Sequence, residues 1–402
     1  MVTRSPAGVP LLLLLALSLS FPQVGGAEER ETVQTVEIEA INALSRGEEI
    51  DEWQLSGLGR VELDYQSRGS RWVRSRLSIR AELLENPDPE AADLRLTIPR
   101  AFIRARFPLG ESYLFRATFG KSRVTWGDGA LYNAGDLVFG EAGGGADLFS
   151  TTGVREETDW LITAFFPLGQ FSFFEPLLLV PEGELVGDEG GDGTTEGALL
   201  AGAPSIEETA AGGRLQWQLW NLKMEGGYLF SAADNEQDLS FSLQGNIGPD
   251  VYGGVATTFP TGGPTPDPRE ELRITAGAYH QYRYRSSGLL TFRLEALIYP
   301  EGIWEESAAT ALKRPCGLEP PCGVSLYPEV SWVPSEAVTL FTRAVLSPVD
   351  GSGVVITGGE WNIYEGLTLG AYVAAQGGGS EDRYSFDRPG GGSLTTRIRY
   401  LY

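Results

Sequence analysis

The sequence is nearly empty of histidine, methionine and cysteine, with one, two and two residues in 402. A single imidazole leaves little for His-based metal or catalytic centres. Positive charge is also short. The 31 Lys and Arg stand against 54 Asp and Glu, a formal net charge of −23, which argues against a nucleic-acid partner, since that wants a basic face. Beyond the first segment there is no long apolar run. The longest candidate, Phe165 to Val180, is interrupted by Pro167, Gly169, Glu175 and Pro176, so it does not supply a membrane-spanning helix. No phosphate loop, nucleotide fingerprint or metal cluster stands out, and no cofactor or metal is expected.

What is present begins with an export signal. Arg4 precedes the apolar run Leu11 to Leu19, and Gly25-Gly26-Ala27 offers small residues for cleavage. This predicts a secretory signal peptide over 1–27 and a mature chain starting near Glu28. An exported chain without a helical anchor is either soluble or a closed barrel, since lipid tolerates no unpaired backbone group.

The period-2 pattern favours the barrel. Leu55, Val61, Leu63 and Tyr65 alternate with Ser56, Arg60, Glu62 and Asp64. Val73, Leu77, Ile79, Ala81 and Leu83 alternate with Arg74, Arg76, Ser78, Arg80 and Glu82. Leu290, Phe292, Leu294, Ala296 and Ile298 alternate with Thr291, Arg293 and Glu295. A soluble sandwich also alternates, so three further features decide. Aromatics gather at segment ends: Tyr228 and Phe230, Tyr282 and Tyr284, Tyr299, Tyr400 and Tyr402, as in the girdles at membrane interfaces. The polar face is rich in Arg. Connections also alternate in length: short ones such as Ser67–Gly69, Pro108–Gly110, Trp220–Leu222 and Asn362–Gly366 fall between mostly longer ones such as Thr125–Glu156, Pro181–Thr209 and Pro300–Cys322. Short periplasmic turns and long extracellular loops produce that alternation. The tetrapeptide Phe-Pro-Leu-Gly recurs at Phe107 and Phe166, both at short turns.

The expected fold is therefore all-β: a transmembrane antiparallel β-barrel over 53–402 in a bacterial outer membrane. About seventeen segments follow from Trp53, and parity asks for one strand before it, giving eighteen, with sixteen as the alternative. Thr32 to Ala43, within the N-terminal segment 28–52, is the only candidate. Its apolar residues Val33, Val36, Ile38 and Ile41 keep no single phase, which leaves an N-terminal helix or free arm as the other reading. The last strand puts Ile398, Tyr400 and the terminal Tyr402 on one face, and looks like the C-terminal signal read by the barrel-assembly machinery.

The most distinctive stretch runs from Gly120-Lys121 through Trp126-Gly127-Asp128-Gly129 to Asn133 and Asp136. It resembles the Gly-[Lys/Arg]-x4-Trp-Gly-x-Gly…Asn-x-x-Asp segment of a broad group of porin-like outer-membrane proteins. There the segment follows an early strand and begins a loop, and Pro often stands where this chain has Ala134. The resemblance covers about seventeen residues. The residues themselves support a bend. Gly127 and Gly129 permit unusual dihedrals, Trp126 can wedge the bend with its N–H bonded, and Asn133 and Asp136 are turn formers. Two readings stand: a constriction loop folded into the lumen, or a surface loop.

The second constellation is basic. Arg60, Arg74, Arg76, Arg80, Arg95, Arg104, Arg106 and Arg116 share the polar phase of four neighbouring segments, with a phase slip near Pro99 that suggests a bulge. If all point inward, Asp128, Asp136 and Asp147 on an infolded loop would face them and set up a transverse field. The alternative is salt-bridge filler, with Glu62, Asp64 and Glu82 neutralising the arginines.

Three features carry less. Cys316 and Cys322, flanked by Pro315 and Pro321, read as a local disulfide. His280, on the lipid phase of its segment, reads as an interface residue rather than a catalytic base. Glu182 to Glu208 is acidic, Gly-rich and without Lys or Arg, a solvated loop by default. The function expected is passage of small hydrophilic solutes through a porin-like pore, not catalysis. The rivals are a plugged barrel serving as a surface-binding or structural protein, a barrel hydrolase using His280, and a soluble secreted β protein.

Overall fold

The computed structural model describes residues 32–46, 53–67, 70, 72–85, 92–110, 113–142, 146–151, 153–180, 209–261, 271–284, 287–305, 321–380, 382–387 and 390–402. The expected signal peptide, Cys316 and the acidic segment 182–208 lie outside the described residues. Eighteen strands make up the fold. They are β1 (Thr32–Arg46), β2 (Trp53–Ser67), β3 (Val73–Glu85), β4 (Ala92–Leu109), β5 (Tyr113–Ser122), β6 (Asp159–Pro167), β7 (Phe173–Leu179), β8 (Ala210–Leu219) and β9 (Leu222–Ser231). The second half holds β10 (Glu236–Asn246), β11 (Asp250–Pro260), β12 (Arg273–Arg283), β13 (Leu289–Ile298), β14 (Val324–Ser335), β15 (Val338–Ser347), β16 (Ser352–Tyr364), β17 (Leu367–Gly377) and β18 (Gly392–Leu401).

Every strand pairs antiparallel with the next, and β1 pairs with both β2 and β18. The sheet is therefore a closed meander with no free edge. The seam runs from Glu37 opposite Leu401 to Ser45 opposite Ser393. Beyond it, Val36 and Tyr402 exchange both backbone hydrogen bonds at 2.9 Å, so the last residue of the chain is stitched into the closure. The segment that could have been an arm or a helix is a full strand, and eighteen, not sixteen, is the count.

Register explains which residues form the two faces. Tyr65, Leu77, Ile103, Phe119, Ile162, Leu215, Phe292, Val330, Val373 and Ile398 face outward and are exposed. The alternate positions turn inward, where polar and charged side chains meet. Near Pro99 the phase is kept by a bulge: Ser78 faces Arg100, while Arg80, two residues on, faces Thr97. The extra residue on β4 keeps Arg95 on the same face as Arg104 and Arg106. The connections at the end shared by the start of β1 and the end of β18 are all short, and those at the other end are mostly longer, β9–β10 and β15–β16 excepted. Tyr228, Tyr282, Tyr284, Tyr400 and Tyr402 lie outward as expected of a girdle. Tyr299 does not. It sits one residue past β13 on the inward phase, and its hydroxyl donates to Glu141 at 2.6 Å.

The lumen side is held by carboxylates taken out of water. At the seam, Glu39 is 1 % exposed. It accepts from Arg60 Nη1 at 2.8 Å and from Arg397 Nε, so β1 is clamped between β2 and β18. Glu360 on β16 receives Arg397, Arg399 and the Tyr372 hydroxyl. Glu329 on β14 takes Arg293 from β13 and Arg343 from β15. Removing one partner of such a buried pair leaves the other charge uncompensated. The variant E39A is expected to lose about 3 kcal/mol, the low end for a buried pair because both arginines keep some access to water. The measurement is urea unfolding of the refolded barrel, with a matching fall in the temperature at which the compact form is lost on a gel.

Candidate functional site: the infolded loop and the arginine wall

The loop 123–158, between β5 and β6, turns into the barrel and packs against its inner wall. At the first bend Gly127 and Gly129 take φ of +66° and +152°, a region that L side chains rarely adopt. A Cβ on Gly127 would stand 2.5 Å from Asn133 Oδ1 and 2.9 Å from the Gly135 Cα. Trp126 is fully buried with Val124, Leu161, Leu177, Leu179 and Leu229. It lies over β9 at Gly227, where a Cβ would come within 3.2 Å of the indole. Its indole N–H meets no acceptor among the described residues, so the wedge holds by packing and not by the hydrogen bond anticipated. Asn133 Nδ2 donates to the Trp126 carbonyl at 2.7 Å, and Asn133 Oδ1 accepts from the Gly135 N–H at 3.1 Å. Asp136 Oδ1 accepts from the Val138 and Phe139 N–H groups. Both residues are local turn formers.

Two wall carboxylates hold the loop in place. Glu225 on β9 accepts the Gly127 N–H at 2.6 Å and Arg214 Nη1 at 3.1 Å. Glu295 on β13, 1 % exposed, accepts the Ala130 N–H at 2.7 Å and the Leu131 and Tyr132 N–H groups at 2.9 Å each. The Tyr252 hydroxyl donates to it as well. A carboxylate taking several N–H donors is a charge-assisted anchor, stronger than neutral bonds. Further along, Ala134 N–H donates to Thr275 Oγ1 at 3.2 Å, Thr151 Oγ1 donates to Glu360 at 2.7 Å, and Leu131, Tyr132 and Val154 pack on Leu297, Tyr327 and Val345. The loop thus lines the inner wall from β6 round to β16. The geometry selects the infolded arrangement over a surface loop.

The loop acids do not all face the arginines. Asp128 pairs with Lys223 on β9 at 3.1 Å, and Asp136 pairs with Arg155 of its own loop at 3.1 Å. Each meets a cation closer to hand than the wall opposite. Burial pushes the Asp136 carboxyl up to about 6, while Arg155 and the two N–H groups pull it down. Asp147 accepts the Phe149 N–H at 2.9 Å.

The eight arginines divide into two groups. Arg60 meets Glu39 and Glu82, Arg76 meets Asp64, and Arg80 meets Glu62, which is the filler arrangement. Arg74, Arg104, Arg106 and Arg116 make no ion pair among the described residues, and neither does Arg95 near the other end of β4. Arg104 instead bonds Thr118 Oγ1 at 3.2 Å and lies over Phe102, while Arg116 lies over Phe165, 4.7 Å from the ring centroid.

Residues outside the two predicted constellations also shape the lumen. Glu225, Glu295, Arg155 and Lys223 were not singled out, although Glu295 shows on the polar phase of its strand. Arg383 and Tyr384, from the connection between β17 and β18, turn inward as well: Arg383 Nη1 donates to Ser325 Oγ at 3.1 Å, and Tyr384 packs on the Tyr132 cluster. His280 lies exposed on the outer face of β12 opposite Phe292. Cys322 is disulfide-bonded.

The fold and its inserted loop thus define a closed antiparallel barrel with a partly filled lumen. No protein-family model matches the chain, and no curated protein matches it in sequence. Among solved structures it is similar to the outer membrane protein OprD from Pseudomonas aeruginosa, with a TM-score of 0.51 at 9 % identity over 93 % of this chain and 94 % of that one. OprB from Pseudomonas putida scores 0.47 at 12 % identity, covering 92 % and 94 %. An engineered variant of the Rhodopseudomonas blastica porin scores 0.41 at 9 % identity, covering 92 % and 100 %. The likeness to OprD extends to the fold.

The variant E295A removes the acceptor of three loop N–H groups and of Tyr252. It is expected to free the loop and open it to proteolysis between Gly127 and Glu141, while E295Q, which keeps an acceptor oxygen, stays largely resistant. Timed digestion of folded protein, with fragment masses, checks this.

Proposed function

We propose that this chain is a porin-like channel of a bacterial outer membrane, passing small hydrophilic solutes. In this reading the passage is narrowed between the loop after Thr125 and the arginine wall of β2 to β5. The observation that carries it is the one-sided filling of the lumen. Glu225 and Glu295 hold the loop against β9 and β13, whereas on the facing strands Arg74 is exposed and Arg104, Arg106 and Arg116 are half-buried without ion pairs among the described residues. A barrel of this strand number is wide enough for an aqueous channel.

The location rests on physical grounds. The outward face is a continuous apolar band with tyrosines toward the ends, and such a surface needs lipid around it. The short connections lie on the periplasmic side and the long ones outside. Residues 1–27 serve as the export signal, and Ile398, Tyr400 and Tyr402 on the closing strand present the outward apolar face that the barrel-assembly machinery would read. The Gly120–Asp136 segment, with its likeness to porin-like proteins, agrees with this assignment. The work is transport and not catalysis.

One observation favours the plugged, surface-binding alternative. Arg383 and Tyr384 bring a second connection onto the infolded loop, filling the long-loop end further. Planar-bilayer recording separates the two. Refolded protein is expected to give stable single-channel steps, and shortening the loop between Gly127 and Glu141 is expected to enlarge them. Silence from inserted, heat-modifiable protein would overturn the pore and leave the plugged barrel.

A further inference from the structure

Part of the lumen face of β3, β4 and β5 departs from the ion pairing seen on other strands. Arg60, Arg214, Arg293 and Arg343 each meet a carboxylate on a neighbouring strand. At two places on β3 to β5, like faces like. Arg74 stands directly opposite Arg104, and Arg106 directly opposite Arg116. Like charges directly opposite one another on paired strands repel. None of the four makes an ion pair among the described residues. The carboxylates of the inserted loop that could have neutralised them, Asp128 and Asp136, are taken by Lys223 and Arg155.

The surroundings leave the four guanidiniums usable. Arg104 and Arg116 lie over Phe102 and Phe165, contacts that engage the planar face and leave N–H edges for a ligand. Arg106 and Arg116 also border a recess of about 780 Å³ lined by Phe165, Phe173, Gln216 and Gln218. The glutamine amides add neutral donors beside the charges. Glu175 acts on Arg104 and Arg116 but is already engaged by Arg214, so positive charge stays in excess at adjacent positions, which marks a site whose balance comes from outside.

We propose that Arg74, Arg104, Arg106 and Arg116 form a binding site for multiply charged oxyanions, phosphate-bearing or polycarboxylate. The role of the site in transport rests on the pore reading; its binding chemistry does not. A monovalent ion leaves most of the four charges uncompensated. An oxyanion of two or more charges can engage several planar guanidinium forks at once, the geometry in which Arg binds carboxylate and phosphate most strongly. It also relieves the repulsion stored across the two strand pairs.

The test is isothermal titration of the full, refolded barrel in detergent at low salt, with inorganic pyrophosphate and citrate as probes. The proteins are the natural chain, the triple variant R104Q/R106Q/R116Q, and R95Q as a control outside the cluster. The triple variant removes repulsion and no ion pair, and heat modifiability verifies that it folds. Saturable binding by the natural chain and by R95Q, weakened about tenfold or more in the triple variant, is the expected result. Preference for pyrophosphate assigns the phosphate class and preference for citrate the polycarboxylates. No saturable binding of either probe, or equal binding by the triple variant, would overturn the proposal. Bilayer recording of the same samples keeps the two ideas apart. A silent barrel that binds sinks the pore and leaves the site. A conducting barrel that does not bind sinks the site alone.

Discussion

Carboxylates buried on the inner wall are the constraint on which the rest of this barrel depends. A closed sheet satisfies its backbone in the ladder, but its inner face must also dispose of the charges that line it. Glu39 joins the first strand to its two neighbours and so closes the cylinder. Glu329 and Glu360 tie the strands of the second half to one another. Glu225 and Glu295 do a different job with the same chemistry: they reach loop backbone and so fill the lumen. One residue type, placed on the inward phase of successive strands, thus fixes both the wall and what stands inside it.

The result is a lumen with two unlike sides. From β6 to β16 the loop packs along the wall, and the buried carboxylates Glu175, Glu225, Glu295, Glu329 and Glu360 are engaged in ion pairs or hydrogen bonds. On β3 to β5 the wall carries arginines that face each other, Arg74 opposite Arg104 and Arg106 opposite Arg116. The strongly acidic balance of the chain does not extend to this inner surface, where positive charge is in local excess. Field and shape therefore point in one direction. In the proposed channel, solute would pass along the arginines, on the side away from the loop's anchors at Glu225 and Glu295.

Much of this was legible in the sequence, for reasons particular to the residues. Alternation of Arg74, Arg76, Ser78, Arg80 and Glu82 with Leu77, Ile79, Ala81 and Leu83 defined a strand and its two faces, and Pro99 marked the bulge seen at Ser78 and Arg80. β1 was hard to read because Val33 and Ile41 turn inward while Val36 and Ile38 turn outward, so apolarity keeps no phase; only parity required it. The bend at Trp126 and Gly127 was visible because its chemistry is local. Its anchors were not, since Glu225 and Glu295 lie about a hundred residues or more away in the chain. The same distance hid Lys223, and with it the fact that Asp128 is neutralised before it can face the arginine wall. Tyr299 misled because an aromatic one residue past a strand can take either face.

The most direct test of the central claim is thiol accessibility during planar-bilayer recording. Cys322 is disulfide-bonded, so a thiol introduced at Arg116 or Ala134 can be addressed on its own in turn. Arg116 is half-buried on the arginine wall, whereas Ala134, on the side of the loop that bonds Thr275, is 2 % exposed. The account predicts that a bulky, water-soluble thiol reagent cuts the current of R116C in discrete steps and leaves A134C unchanged. Block of A134C with R116C unaffected would place the passage on the other side of the loop and contradict the account.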